Sequence, residues 1–285
     1  MKPPGRLVVV DGHELHVTVD RPADGAGSSG PAVLLIGGLG GNWFDWDGVA
    51  RELARERTVV RFDRPGFGFG AASDIPPTAR GEADRAAAVL RSVSVAGPVT
   101  VVGHSLGGFY AEAFARLMPD LTAGLILLDA SVSAGPRGRL PREWRVAAAR
   151  RAAAAISASG AQRALGAGVA RMLNRAALPP GTHDRMRRIS RDPRYLGAVL
   201  VEEAVYPDLV AEVAALRESH PLLPVPRAVV AAHTGRRTPW GALRLRTQRG
   251  LAATLDARFV VLRPAHHYAM IDQPARLSAV VLSLV

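Results

Sequence analysis

The strongest chemical signal in the chain is Gly103-His104-Ser105-Leu106-Gly107-Gly108, a G-x-S-x-G pattern set between an apolar run, Val99 to Val102, and a helical pattern that starts near Leu106. A strand-to-helix turn this tight drives its central residue into strained backbone, and glycines two positions before and after it relieve the clashes. The serine hydroxyl then stands clear of the sheet. The helix N-terminus behind it supplies partial positive charge and a backbone N–H, at Leu106, where an oxyanion would develop. The chemistry implied is nucleophilic attack by Ser105; the plain alternative is a glycine-rich turn with an incidental serine.

A serine hydroxyl is a weak nucleophile at neutral pH and needs an adjacent base. The chain offers eight histidines. His104 should turn its ring away from the serine it precedes, and His13, His16, His183, His220 and His233 have no supporting context. No pair of these five shows convincing metal-ligand spacing, so no metal is expected. The chain has no cysteine, which excludes disulfides, thiolate metal sites and a cysteine nucleophile. Among the carboxylates, Asp129 ends the apolar run Leu125 to Leu128, and residues at the C-terminal end of a central parallel strand face the crevice. Its alternative role is to cap the following turn. Asp256 precedes a strand and so falls at the opposite sheet edge, and Asp272 can simply solvate a closing helix.

These residues need a sheet to position them. Leu7 to Val10 and Glu14 to Val19, separated by Asp11-Gly12, predict an antiparallel hairpin. After a turn at Gly25 to Gly30, apolar runs recur at Ala32 to Ile36, Thr58 to Phe62, Val99 to Val102, Leu125 to Leu128, Ala228 to Ala232 and Phe259 to Leu262. Short apolar runs alternating with helical patterns predict a mostly parallel sheet buried on both faces. Residues 134–220 lack such runs and predict a helical insertion, which carries 15 arginines against 8 acidic residues. The organisation expected is a core of residues 1–133 and 221–285 around an insertion at 134–220. Pro274 falls where the first turn of a closing helix is expected.

Of 36 basic residues 35 are arginine, and the net charge is +11. In an Ala-, Gly- and Pro-rich chain this excess of arginine reads largely as nucleotide composition bias. Nucleic acid is not an expected partner, because aromatics make up only 5% of the chain and no binding motif is present. No run approaches the roughly 18 apolar residues of a membrane span, so no stable membrane insertion is expected. The N-terminus has too short an apolar stretch for a signal peptide, and the expected location is cytoplasmic.

Gly103-His104-Ser105-Leu106-Gly107-Gly108, together with Asp63-Arg64-Pro65-Gly66-Phe67-Gly68 after the preceding strand, resembles the α/β-hydrolase superfamily over nearly the whole chain. The resemblance implies an α/β-hydrolase fold with a helical lid inserted after the sixth strand. It places the base in the loop after the last strand, about seven residues before a proline, which fits His267 and leaves His266 as the rival. The acid in the commonest form of the family follows the seventh strand, yet residues 231–239 contain no carboxylate. Some branches carry the acid on the sixth strand, which matches Asp129 and keeps the chain order Ser, Asp, His.

Gly37-Gly38-Leu39-Gly40-Gly41-Asn42 resembles the family's His-Gly-x-Gly oxyanion loop with glycine in place of histidine, and implies Leu39 as the second N–H donor. The same stretch lacks the G-x-G-x-x-G spacing of a dinucleotide site, and no cofactor is expected. Trp43, Phe44 and Trp46 fit either a pocket wall or packing beneath that loop. Trp144, Met172, Leu173, Met186 and Tyr195 fit either a pocket or ordinary helix packing. The implied activity is hydrolysis of a carboxylic ester or related apolar acyl compound through an acyl-enzyme. Alternatives are acyl transfer by the same residues, or a non-catalytic binding or signalling module on the same fold, which the missing seventh-strand acid favours.

Overall fold

The computed structural model describes residues 4–10, 12–23, 30–132, 140–161 and 182–284. Asp11, the turn at 24–29, the start of the insertion at 134, and Met172 and Leu173 lie outside the described residues. Eight strands form one sheet: β1 (Arg6–Val10), β2 (His13–Asp20), β3 (Ala32–Ile36), β4 (Val59–Phe62), β5 (Val99–His104), β6 (Thr122–Leu128), β7 (Arg227–Ala232) and β8 (Arg258–Leu262). Their order is β1-β2-β4-β3-β5-β6-β7-β8. β1 and β2 form the antiparallel hairpin, β2 pairs antiparallel with β4, and every later pairing is parallel.

The two-residue period of a strand explains why these runs are apolar throughout. Leu34 and Ile36 of β3, Val101 of β5, and Leu125 and Leu127 of β6 belong to one core cluster. Val33, Leu35, Val102, Ile126 and Leu128, the alternating residues, belong to the other. Each such side chain taken fully out of water contributes roughly 1.5–3 kcal/mol. The first cluster is covered by α2 (Ala79–Ser92) and α3 (Gly107–Leu117), and the second by α1 (Asp47–Leu53) and, near the C-terminus, by α10 (Pro274–Leu282). α2 starts where the Thr78 hydroxyl accepts the Gly81 N–H, and Pro274 opens α10.

Between β6 and β7 the described residues form α4 (Arg142–Ala158), α5 (Thr182–Ile189), α6 (Pro193–Ala204) and α7 (Tyr206–Ser219). α4 and α6 pack against one another. α7 behaves differently, because Leu209, Val213 and Leu216 are buried in the first core cluster beside α2 and α3. Arg217 reinforces this seat by donating to the buried Glu112 of α3. The stretch 134–220 therefore includes one helix that serves the sheet's flank. The chain then runs through β7 to α8 (Pro239–Thr254), capped by the Thr238 hydroxyl, and through β8 to the short α9 (Ala269–Asp272).

Asp63, at the end of β4, ties the front of the fold together. Its carboxylate accepts the N–H groups of Trp43 and Phe69 at 2.9 and 3.1 Å and meets His16 Nδ1 at 3.0 Å. Trp43 and Phe44 are buried with Phe67, Met186, Ile189 and Tyr195, and Trp46 is buried in the second sheet cluster. These aromatics pack beneath the loop after β3.

Candidate active site

Ser105 sits between β5 and α3 with φ 52°, a left-handed conformation that costs a non-glycine residue of order 1–3 kcal/mol. Its surroundings hold it there: its N–H donates to Leu128 O at 3.0 Å, and its carbonyl accepts Gly108 and Ser131 N–H, each at 3.0 Å. The flanking glycines are required by space. A Cβ on Gly103 would lie 2.4 Å from Gly107 O, and one on Gly107 would lie 2.3 Å from Gly37 O. The loop after β3 is thus pressed against the elbow, and a Cβ on Gly38 would come 2.9 Å from Ser105 Cβ. Leu39 lies on that loop, and Leu106 stands at the first step into α3.

The loop after β8 brings His267 over the serine, with Nε2 3.0 Å from Ser105 Oγ. Its Nδ1 lies 2.7 Å from Asp129 Oδ2. Asp129 directly follows β6 and takes a left-handed φ of 44°, which aspartate tolerates better than most residues. Its N–H donates to Val230 O at 2.7 Å, so the neighbouring strand orients the residue. The side chain is buried, and burial alone would raise its pKa. The hydrogen bond from His267 and the charge of Arg244 outweigh burial, and the pKa is lowered from 3.8.

The rival base is turned elsewhere. His266 is 55% exposed and binds Asp272 through both its N–H, at 2.6 Å, and its Nδ1, at 3.1 Å. Asp256 is exposed at the far edge beside Arg227. His104 is buried with its ring centroid 4.6 Å from that of His267, and its Nε2 lies 2.9 Å from the His267 carbonyl. Burial, aided by the neighbouring His267, lowers its pKa to about 3, so it stays neutral and supports the His267 backbone.

Arg244, on α8, is a member that spacing did not reveal. Its Nε donates to Asp129 Oδ1 at 3.0 Å, its Nη2 also contacts Oδ2, and Nη2 lies 2.6 Å from His267 Nδ1. A guanidinium only donates. The Arg244–His267 contact therefore requires a bare Nδ1, whereas the Asp129–His267 contact requires a protonated one. Of the two, only the protonated Nδ1 leaves Nε2 able to accept the serine proton. Arginine at this place was hidden among 35 of its kind; the one clue was the lack of a carboxylate after β7.

Of the residues considered for a pocket, Trp144 is 67% exposed, and Met186 and Tyr195 are packed with Trp43 and Phe67. A cavity between the β4–α2 loop and helices α4 and α6 is lined by Arg64, Phe67, Ile75, Ala153, Val201 and Glu202 among others. Among the described residues there is no group of three or more acidic or histidine side chains suited to a metal, and no helix is long and apolar enough to cross a membrane.

Comparison with known proteins agrees with this architecture. Uncharacterized protein Rv2715 of Mycobacterium tuberculosis is 43% identical over 106 residues, 36% of this chain and 30% of that protein. Esterase Rv0045c of the same organism is 37% identical over 109 residues, 38% of this chain and 36% of its own length. The match thus spans about a third of these relatives. The structure of a thermophilic esterase from Thermogutta terrifontis superposes with a TM-score of 0.69 over 98% of this chain and 97% of that one, at 23% identity, a likeness of fold. The sequence pattern of the alpha/beta hydrolase family matches residues 33–280, from β3 to within α10. With most of its length inside that match, the chain belongs to the alpha/beta hydrolase family.

Proposed function

We propose that the protein is a cofactor-independent serine hydrolase that cleaves a carboxylic ester or related acyl compound. The observation that carries this reading is the continuous line from Ser105 Oγ to His267 Nε2, at 3.0 Å, and from His267 Nδ1 to Asp129 Oδ2, at 2.7 Å, with the serine on a strained elbow. In the proposed reaction Ser105 Oγ attacks the acyl carbon while His267 Nε2 takes its proton. Asp129 keeps the proton on Nδ1 and stabilises the imidazolium without taking that proton. The backbone N–H groups of Leu39 and Leu106 receive the oxyanion. Collapse expels the alcohol with the proton from His267 and leaves an acyl-Ser105 ester. Water, deprotonated by the same imidazole, then releases the acid. Helices α4 to α6 form the lid in this proposal, and a small apolar acyl compound is the substrate class.

The Arg244 contact favours a second reading, a binding module on the hydrolase fold, because an arginine donating to Nδ1 leaves Nε2 protonated and the serine without a base. Two measurements separate the readings: turnover of a p-nitrophenyl ester series, and stoichiometric labelling by a serine-directed phosphonate, each on the wild type and Ser105→Ala. The hydrolase reading expects turnover and labelling that both vanish in Ser105→Ala. A folded wild type that is inert in both assays would replace it with the binding module.

A further inference from the structure

Beneath the loop that carries Leu39 lies a buried ionic network for which the proposed reaction has no use. Arg64, 3% exposed, donates from Nη1 to Gly37 O at 2.6 Å and from Nη2 to Gly38 O at 2.8 Å. The same guanidinium meets Glu202 of α6, 2% exposed, at 3.2 Å from Nε and 2.9 Å from Nη2 to Oε1, and at 2.9 Å from Nη2 to Oε2. Tyr110 of α3 donates to Glu202 Oε1 at 2.8 Å. Two rings flank the guanidinium, Phe67 at 4.9 Å and Tyr110 at 5.3 Å. A buried charge with fewer partners would be strongly destabilising.

A second tether reaches the same loop from the same helix. Tyr195 of α6 donates to Gly40 O at 2.8 Å, and a Cβ on Gly40 would lie 2.7 Å from that hydroxyl. Tyr195 and Glu202 are seven residues apart, two helical turns, and therefore share a face of α6. The peptide between Gly38 and Leu39 is planar and trans, so its carbonyl and its N–H point in opposite directions. Gly38 O is held by both Arg64 Nη2 and the Gly41 N–H. Fixing that carbonyl toward Arg64 aims the Leu39 N–H away from it.

We propose that α6 is a positioning element for the oxyanion hole, with Arg64, Glu202 and Tyr195 as positioning residues that set the direction of the Leu39 N–H. The proposal rests on the serine hydrolase reading for its effect on catalysis, but the brace on the loop is a property of the fold alone. A substrate that shifts α6 would, by the same linkage, complete or spoil the hole.

The test separates positioning from plain stability. Glu202→Leu strands the Arg64 charge and lowers Tm, so it is paired with the double variant Arg64→Met/Glu202→Leu, which removes both charges and keeps the volume. Tyr195→Phe removes a single hydroxyl. For each, kcat, KM and Tm are measured on a p-nitrophenyl ester, with amide hydrogen exchange followed at residues 38–41. The double variant should recover most of the Tm lost by Glu202→Leu, yet keep kcat about 10- to 100-fold down with KM within about threefold, and exchange faster in the loop. Tyr195→Phe should lower kcat about three- to tenfold with little change in Tm, and decides the matter if the double variant fails to fold. Recovery of kcat together with Tm, or unchanged exchange in the loop, would overturn the proposal. A wild type without turnover defeats the hydrolase reading while loop exchange still judges the brace.

Discussion

The two sides of the Ser105 hydroxyl are built by opposite means. On the side of the proposed oxyanion hole, glycine backbone is pressed against the elbow and held by buried side chains: Arg64, Glu202 and Tyr195 are each at most 5% exposed. On the base side, His267 is 37% exposed and Arg244 36%, and both compete for the one buried carboxylate of Asp129. The first side is held because a shift of the loop would take carbonyl acceptors from Arg64 and leave a buried charge with fewer partners. The second has two proton placements on one imidazole, and solvent close enough to screen the choice. In the proposed hydrolase, rigidity thus goes to the backbone donors, whose direction cannot be corrected by a rotamer, and adjustability to the side chains that move a proton.

The comparison breaks most sharply at Asp129. Asp129→Asn should keep the fold and lower kcat by roughly 10³- to 10⁴-fold, because an amide no longer selects the Nδ1-protonated imidazole; near wild-type turnover would show that Asp129 serves the turn. The oxyanion side is probed by Gly38→Ala, whose new methyl must displace Ser105 Cβ or the His104 carbonyl, 3.1 Å away. Turnover should fall on the order of 100-fold with the phosphonate still able to label the serine, and an unaffected kcat would mean the loop yields where rigidity is claimed.

Arg244→Met gives a smaller effect of opposite sign. Freed from a competing donor, Asp129 keeps His267 and the Ala232 N–H as partners, and kcat at neutral pH should rise about two- to fivefold, with Tm falling by a few degrees because the carboxylate is buried while Arg244 is partly exposed. A tenfold fall in kcat would instead make Arg244 part of the machinery.

The smallest effect reads on stability and sharpens the claim about burial. Asp45, in the buried turn beneath the oxyanion loop, has its pKa pushed up to about 7 by burial, against the opposing Asn42 N–H bond. Its folded pKa lies above the unfolded value of 3.8, so the folded state gains from the proton it keeps. That stability is full below about pH 4 and is lost as the pH rises through about 7. Asp45→Asn should therefore raise Tm by a few degrees at pH 8, with the difference closing toward pH 4.5. A constant offset across that range would remove the carboxyl from the account.

Much of this was legible from the chain alone, for identifiable reasons. The six parallel strands could be read because both faces of each are buried, which forbids polar interruptions and leaves runs such as Val33 to Ile36. Ser105 could be read because glycine spacing around a positive φ is a local constraint, and His267 because its loop kept the family's register. Asp129 followed from its place at a strand end. What could not be read depends on partners distant in sequence. Arg64 and Glu202 are separated by 138 positions, Arg244 and Asp129 by 115, and each is one arginine among many. The helices of 134–220 share an alanine-rich, arginine-rich pattern, so nothing local distinguished α7, seated in the core, from α4, nor Trp144 in water from Tyr195 in a cluster.

Because the carboxylate stands just after β6, the turn from β7 into α8 carries no side chain on which the proposed chemistry depends. Thr234 to Thr238 are exposed, and the main local anchors are the His233 ring accepting Gly235 N–H and the Thr238 cap. That segment is the natural place to vary: insertions or randomised libraries there would reshape the rim of the proposed site while Ser105, His267 and Asp129 stay intact, with Arg244, in the second turn of α8, as the limit. If the hydrolase reading holds, descendants of this chain could thus change what they admit without relearning how to react with it.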